Sequence, residues 1–288
     1  MGGPSGLPLT WLDVFSATPL AGNPLAVVHD AGGLDDATML AFARETGLSE
    51  TTFVQPATEA GAGYRMRIWT VNGELPFAGH PSLGTAVAVA AARGDAEARY
   101  VQQTVAGLQP VEVTLRDRAG RASMLQEPAV FGEELDRGAV FAALGLTAAD
   151  AHAELAPRVC STGVRQVIAP AGSPDALART APVPERLGDL LARTGATTVY
   201  LAHWDGSAAV ARARAWWLPR GALGEDPATG SAAGPLMALL HDRGGAERLT
   251  VRQGEELGRP SVLECAMEAG RARVGGDVVL VSEGRIFL

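Results

Sequence analysis

Three titratable side chains stand where proton chemistry could be done. His80 lies in "FAGHPSLGTA", at the mouth of an apolar run. Imidazole titrates nearest neutrality, so it suits a general acid/base or a hydrogen-bond donor to a bound oxygen. Asp226 lies in "GEDPATGS", ahead of a second apolar run, and Glu50 in "GLSETTFV". A partly desolvated carboxylate at position 50 is suited to take a proton and return it. Each residue also has a plainer reading: His80 as a helix cap, Asp226 as a turn initiator favoured near a helix start, Glu50 as a solvated residue at a strand start.

The elements that must position these residues come in two copies. Gly84 recurs as Gly234, Arg93-Gly94 as Arg243-Gly244, Val101 and Gln103 as Val251 and Gln253, and Pro110 as Pro260, all at a shift of 150 residues. "RMRIW" parallels "RARAW", and "ETGLSETTFV" parallels "RTGATTVY", which has no acid to match Glu50. Two copies of one unit, joined near residues 127–150, follow from this internal repeat. Short β-branched or alternating runs such as "NPLAVVHD", "YRMRIWTV" and "PVEVTLR" read as strands, and "LDDATMLAFARETG" and "PERLGDLLARTG" as surface helices.

Leu83–Ala92 and Ser231–Leu240 are apolar on every face, so each helix must be enclosed on every face. The expected fold class is therefore α+β: two pseudo-symmetric halves, each a barrel-like curved sheet around a central apolar helix. Pro235 has no N–H and is expected in a first turn, which starts the second central helix near Ser231 and, by the repeat, the first near Pro81. The starts, Ala78-Gly79-His80 and Thr229-Gly230-Ser231, would offer unpaired N–H groups and the positive end of a helix dipole to a carboxylate or phosphate.

Composition narrows the function. No lysine occurs among the 24 basic residues, which excludes pyridoxal-phosphate enzymes, P-loop nucleotide-binding proteins and protein kinases. A net charge of -8 and no basic run with interleaved aromatics argue against nucleic acid. No spanning segment or secretory signal is legible, so the cytoplasm is expected and a membrane is not. Cys160 and Cys265 are not a spaced pair, the five histidines show no metal spacing, and "GSAAG" is not a nucleophile elbow.

"DVFSATPLAGNPLAVV", "ARETGLSETTFV", "ELPFAGHPSLGTA" and "GEDPATGSAAGPL" together resemble the phenazine-biosynthesis PhzF-like isomerase family, a branch of the diaminopimelate epimerase superfamily. The resemblance implies two epimerase-like domains, here 1–128 and 129–276, with a C-terminal strand, about 277–288, that can cross back to the first. It also implies an active site in the cleft between domains, and a homodimer. It implies a proton-shifting isomerase without cofactor or metal, acting on a small anionic carboxylate of the trans-2,3-dihydro-3-hydroxyanthranilate type. By the same resemblance Glu50, His80 and Asp226 are catalytic, and Ser49, Gly79, Gly230 and Ser231 bind substrate. The superfamily's thiol epimerases keep a cysteine at each helix start, whereas the matching positions here are Gly79 and Asp226. Two other readings stay open: a non-catalytic small-molecule binding protein, and an epimerase or racemase using Glu50 and Asp226.

Overall fold

The computed structural model describes residues 6–205 and 209–288. Two compact units make up the chain: residues up to Met124 together with Gly275–Leu288, and Leu125–Val274. No helix among the described residues is long and apolar enough to cross a membrane.

The first unit runs β1 (Leu7–Val14), β2 (Asn23–Val28), α1 (Asp36–Thr46), β3 (Thr51–Gln55), β4 (Tyr64–Thr70), β5 (Gly73–Leu75), α2 (Gly79–Arg93), β6 (Glu97–Thr104), β7 (Gly107–Arg116) and β8 (Ala119–Leu125). The second runs β9 (Val130–Glu134), α3 (Arg137–Ala143), β10 (Arg158–Ser161), β11 (Arg165–Pro170), α4 (Pro174–Arg179), α5 (Pro184–Thr194), β12 (Thr198–Asp205), β13 (Val210–Trp217), β14 (Gly224–Asp226), α6 (Gly230–Gly244), β15 (Arg248–Gln253) and β16 (Ser261–Glu268). β17 (Arg271–Ile286) begins in the second unit and ends in the first.

In the first unit the strands close on themselves. β1 pairs with β2, β2 with β3, β3 with β4, β4 with β6, β6 with β7, β7 with β8, β8 with β17, and β17 returns to β1. The β2–β3 and β4–β6 pairs are parallel and the β1–β17 pair antiparallel, with Val14 opposite Val278 and Leu7 opposite Ile286. Closure leaves no free edge in this ring. Inside it lies α2, buried continuously from Gly79 to Ala90. Gly84 sets how closely helix and wall approach: a Cβ there would lie 2.6–2.8 Å from side-chain atoms of Leu25, Leu12 and Val14.

The second unit repeats the plan. β9, β10 and β11 pair in order; β11 runs parallel to β12, β12 antiparallel to β13, β13 parallel to β15, and β15 antiparallel to β16. α6 packs against β10, β11, β15 and β16 and is buried from Ala232 to Leu240. The repeat partner of Gly84 does the same work: a Cβ on Gly234 would lie 1.8 Å from Gln126 Oε1. Pro235 departs from expectation. α6 begins at Gly230, so the proline falls in the second turn, and its missing N–H withdraws the helical donor from the Ser231 carbonyl.

Outer helices cover the other faces. α1 is capped at its start by Asp35, whose carboxylate accepts from the Thr38 N–H at 2.8 Å, and at its end by Gly47 in the left-handed region (φ 64°). It buries Met39 and Ala43 against Val28, Phe53 and Trp69; side chains the size of Met39 and Phe53 contribute about 1.5–3 kcal/mol each by burial. α3, α4 and α5 bury Phe141, Leu177, Leu187 and Leu190 in a cluster with Val167, Val199 and Trp216.

Candidate functional site

Each unit brings its site residues to the start of its own buried helix. In the first, β5 leads within a few residues into α2, whose N-cap is Ala78 and offers no side-chain acceptor. His80 is the second residue of this helix and is 4% exposed. Asn23, the first residue of β2 and fully buried, places its amide Nδ2 3.3 Å from His80 Nδ1. Glu50, in the loop that enters β3, places Oε2 3.6 Å from the same ring nitrogen. Ser49 precedes it in that loop, and Gly79 is the first residue of α2.

Burial pulls the His80 pKa down to about 3, so at neutral pH the ring is uncharged. The approach of Glu50 is therefore a carboxyl against a neutral imidazole, not an ion pair. With Asn23 donating to Nδ1, the ring proton sits on Nε2. That nitrogen is buried and has no hydrogen-bond partner among the described residues. A buried N–H without an acceptor carries a desolvation penalty of about 1–3 kcal/mol, which a ligand oxygen would relieve. The cap-less helix start beside it adds backbone donors of the same polarity.

In the second unit Asp226 closes β14 and is 8% exposed. The Thr229 hydroxyl donates to Asp226 Oδ2 at 2.6 Å and accepts from Gln253 Nε2 at 3.0 Å. The same amide donates to the Asp226 carbonyl at 2.7 Å, while its oxygen accepts from the Thr229 N–H and the Tyr200 hydroxyl, both at 3.1 Å. A charge-assisted bond of this kind holds a carboxylate in one orientation. At the start of α6, Gln126 donates to the Gly230 carbonyl at 3.0 Å and accepts from the Thr162 hydroxyl at 2.6 Å. Ser231 accepts from Gln166 at 3.1 Å, leaving its own proton to point elsewhere.

The structure thus brings Glu50 and His80 together, with Ser49 and Gly79 adjoining in the chain, and gathers Asp226, Gly230 and Ser231 around one helix start. Asn23, Gln253, Gln126 and Gln166 are supporting residues that sequence reasoning missed, and Thr229, named only as part of the helix start, supports Asp226 through its hydroxyl. For Gln253 a signal existed, since it is the repeat partner of Gln103, but it served only to fix the register. Cys160 and Cys265 are buried with thiol pKa values raised to about 12 by desolvation, so neither offers a thiolate at neutral pH. Among the described residues no group of three or more His, Cys, Asp or Glu could hold a metal ion.

A helix enclosed in a curved sheet, present twice, defines the fold class of the racemases and epimerases. The chain superposes on a probable proline racemase from Agrobacterium radiobacter with a TM-score of 0.67, covering 98% of this chain and 93% of that one at 15% identity, a likeness of fold alone. The chain belongs to the PhzC-PhzF family of phenazine biosynthesis-like proteins, whose model matches residues 12–284, and it is an isomerase. A trans-2,3-dihydro-3-hydroxyanthranilate isomerase of Pseudomonas aeruginosa is 35% identical over 96% of this chain and 98% of its own length. An uncharacterized isomerase of Mesorhizobium japonicum is 36% identical over 96% of this chain and 97% of its own length. A predicted epimerase from Pseudomonas aeruginosa, of known structure, has a TM-score of 0.87 at 37% identity, covering 98% of this chain and 99% of that one.

Proposed function

We propose that the protein is a cofactor-independent isomerase that moves a proton between carbons of a small unsaturated carboxylic acid. The observation that carries this is the Glu50–His80 contact: a carboxyl group 3.6 Å from a neutral, Asn23-anchored imidazole whose second nitrogen has no partner among the described residues. Glu50 removes an acidic C–H proton, the resulting charge delocalises into the unsaturated system, and the same carboxyl returns the proton at another carbon. His80 donates from Nε2 to a substrate oxygen, and the backbone N–H of Gly79 at the same helix start holds the carboxylate. Ser49 adjoins the base; in the second unit Asp226, Gly230 and Ser231 are the corresponding site residues around the start of α6. The activity named for the Pseudomonas aeruginosa relative supports a substrate of the dihydro-hydroxyanthranilate type.

The test is incubation with a panel of unsaturated amino and hydroxy acids, trans-2,3-dihydro-3-hydroxyanthranilate included, in D₂O with NMR detection and Glu50→Gln as control. Deuterium at a new carbon with a shifted double bond supports the proposal. Racemised product in its place would identify an epimerase, and no exchange on any acid would defeat proton transfer.

A further inference from the structure

β14 carries Asp226 and is only three residues long, Gly224–Asp226. Its rungs on β13 are Ala215 opposite Asp226, Trp216 opposite Glu225 and Trp217 opposite Gly224. Side chains alternate along a strand, so Glu225 and Asp226 point to opposite faces. A slip of one residue would exchange them. Three rungs are a weak defence against such a slip; Gln253 and Thr229 hold Asp226 itself, and a second anchor acts on its neighbour Glu225.

Arg214 on β13 is that anchor. Its Nε and Nη2 donate to the two carboxylate oxygens of Glu225 at 2.8 and 2.7 Å, and Nη1 donates to the Leu177 carbonyl at 2.8 Å. The guanidinium lies over the Trp216 ring, 4.9 Å from its centroid. The side chains of Arg214 and Glu225 are 11% and 13% exposed, so the pair is little screened by solvent. A planar fork clasping both oxygens fixes Glu225 in distance and in angle, which an ammonium group cannot do.

The first unit builds the same device independently. Arg67 on β4 grips both oxygens of Glu74 on β5 at 2.7 Å and lies 5.2 Å from the Trp69 centroid. Glu74 again faces the tryptophan across the rung, here Trp69. Arginine and glutamate are separated by 7 residues in one hairpin and by 11 in the other, yet the pair closes identically. The fork therefore belongs to the architecture of each unit and not to a particular loop.

We propose that Arg214, through its two-pronged pair with Glu225, is a positioning residue that locks the register of β14 and so fixes the face on which Asp226 is presented. This rests on the reading of Asp226 as a site residue. Glu225→Gln keeps the shape of the carboxylate without its charge, and Arg214→Lys keeps the charge without the fork. Both variants should show faster amide exchange in 224–226, a moved or broadened carboxyl ¹³C resonance for Asp226, and turnover down roughly 10- to 100-fold, the scale of a misplaced site group. Glu268→Gln is the matched control. It removes another two-pronged pair, with Arg273 at 2.6 and 3.1 Å, from the β16–β17 turn, and should leave all three readings unchanged. An unaltered Asp226 resonance with unaltered turnover in the folded variants overturns the proposal. So does a fall in turnover matched by Glu268→Gln. If Glu225→Gln does not fold, Arg214→Lys carries the comparison. If the wild-type protein turns over no acid on the panel, the reading of Asp226 falls, while exchange and resonance still decide the register lock.

Discussion

The imidazole of His80 approaches Glu50 to 3.6 Å while the Asn23 amide lies 3.3 Å from the same nitrogen. One ring nitrogen is thus committed to the protein, and in the proposed mechanism Glu50 carries the proton. Glu50→Gln preserves the shape and removes the carrier. A general acid/base contributes about 10²- to 10⁴-fold, so turnover should fall by that range with circular dichroism unaltered. Steady-state assay on the panel substrate checks it, and unchanged turnover would remove Glu50 from the mechanism.

Burial of a neutral His80 links stability to pH. Its pKa is about 3 folded against 6.5 for an unperturbed histidine, so between these values the unfolded chain binds the extra proton. Stability from this site is complete above pH 6.5 and is lost as pH falls towards 3. Between pH 7 and pH 5 the loss amounts to about 2 kcal/mol. His29, also lowered chiefly by burial, adds a loss of the same sign. Urea unfolding at the two pH values should give a smaller difference for His80→Gln than for the wild type; equal differences would show that the ring does not stay neutral.

Thr229 stands between Gln253 and Asp226, accepting from one and donating to the other. Thr229→Val matches its volume but removes one hydrogen bond from each of two buried polar groups, and should destabilise the protein by about 1–3 kcal/mol. Thr229→Ser keeps the hydroxyl and should recover most of this. Chemical denaturation of the pair distinguishes lost hydrogen bonding from lost packing, because valine retains the packing.

At Gly234 the structure has no room for a methyl group. A Cβ would fall 1.8 Å from Gln126 Oε1, so Gly234→Ala must expel a side chain that bonds both Gly230 and Thr162. Overpacking of this kind costs about 1–3 kcal/mol, and the broken bonds add to it. Combining it with Gln126→Ser, which clears the space, should cost less than the sum of the single changes. Strict additivity of the two melting-temperature shifts would mean that the residues do not meet.

Much of this was legible because the signals were local or repeated. Asp35 and Gly47 bound α1 by their own chemistry, and the all-apolar runs required enclosure whatever surrounded them. The Gly84–Gly234 correspondence gives only the register of the repeat in the sequence; the close approach of Gly84 to Leu12, Val14 and Leu25, and of Gly234 to Gln126, exists only in the fold. β5 and β14 were not legible, since three residues are too few to display a period of two. Asn23, Gln126 and Gln253 act through partners far away in sequence, and nothing beside them in the chain announces those partners. Pro235 rightly put the helix start near Ser231, since α6 begins at Gly230, but the proline itself lies in the second turn and not the first.

β17 carries a consequence for the order of events during synthesis. Its antiparallel seam with β1 closes the first ring, yet the ribosome must produce all of Leu125–Val274 before the closing residues emerge. Until then β1 waits with an open edge, and α2 lacks part of its wall. The interrupted unit must therefore be finished after the uninterrupted one has been made, so a nascent chain halted before Gly275 is the species most exposed to aggregation through its unpaired first strand.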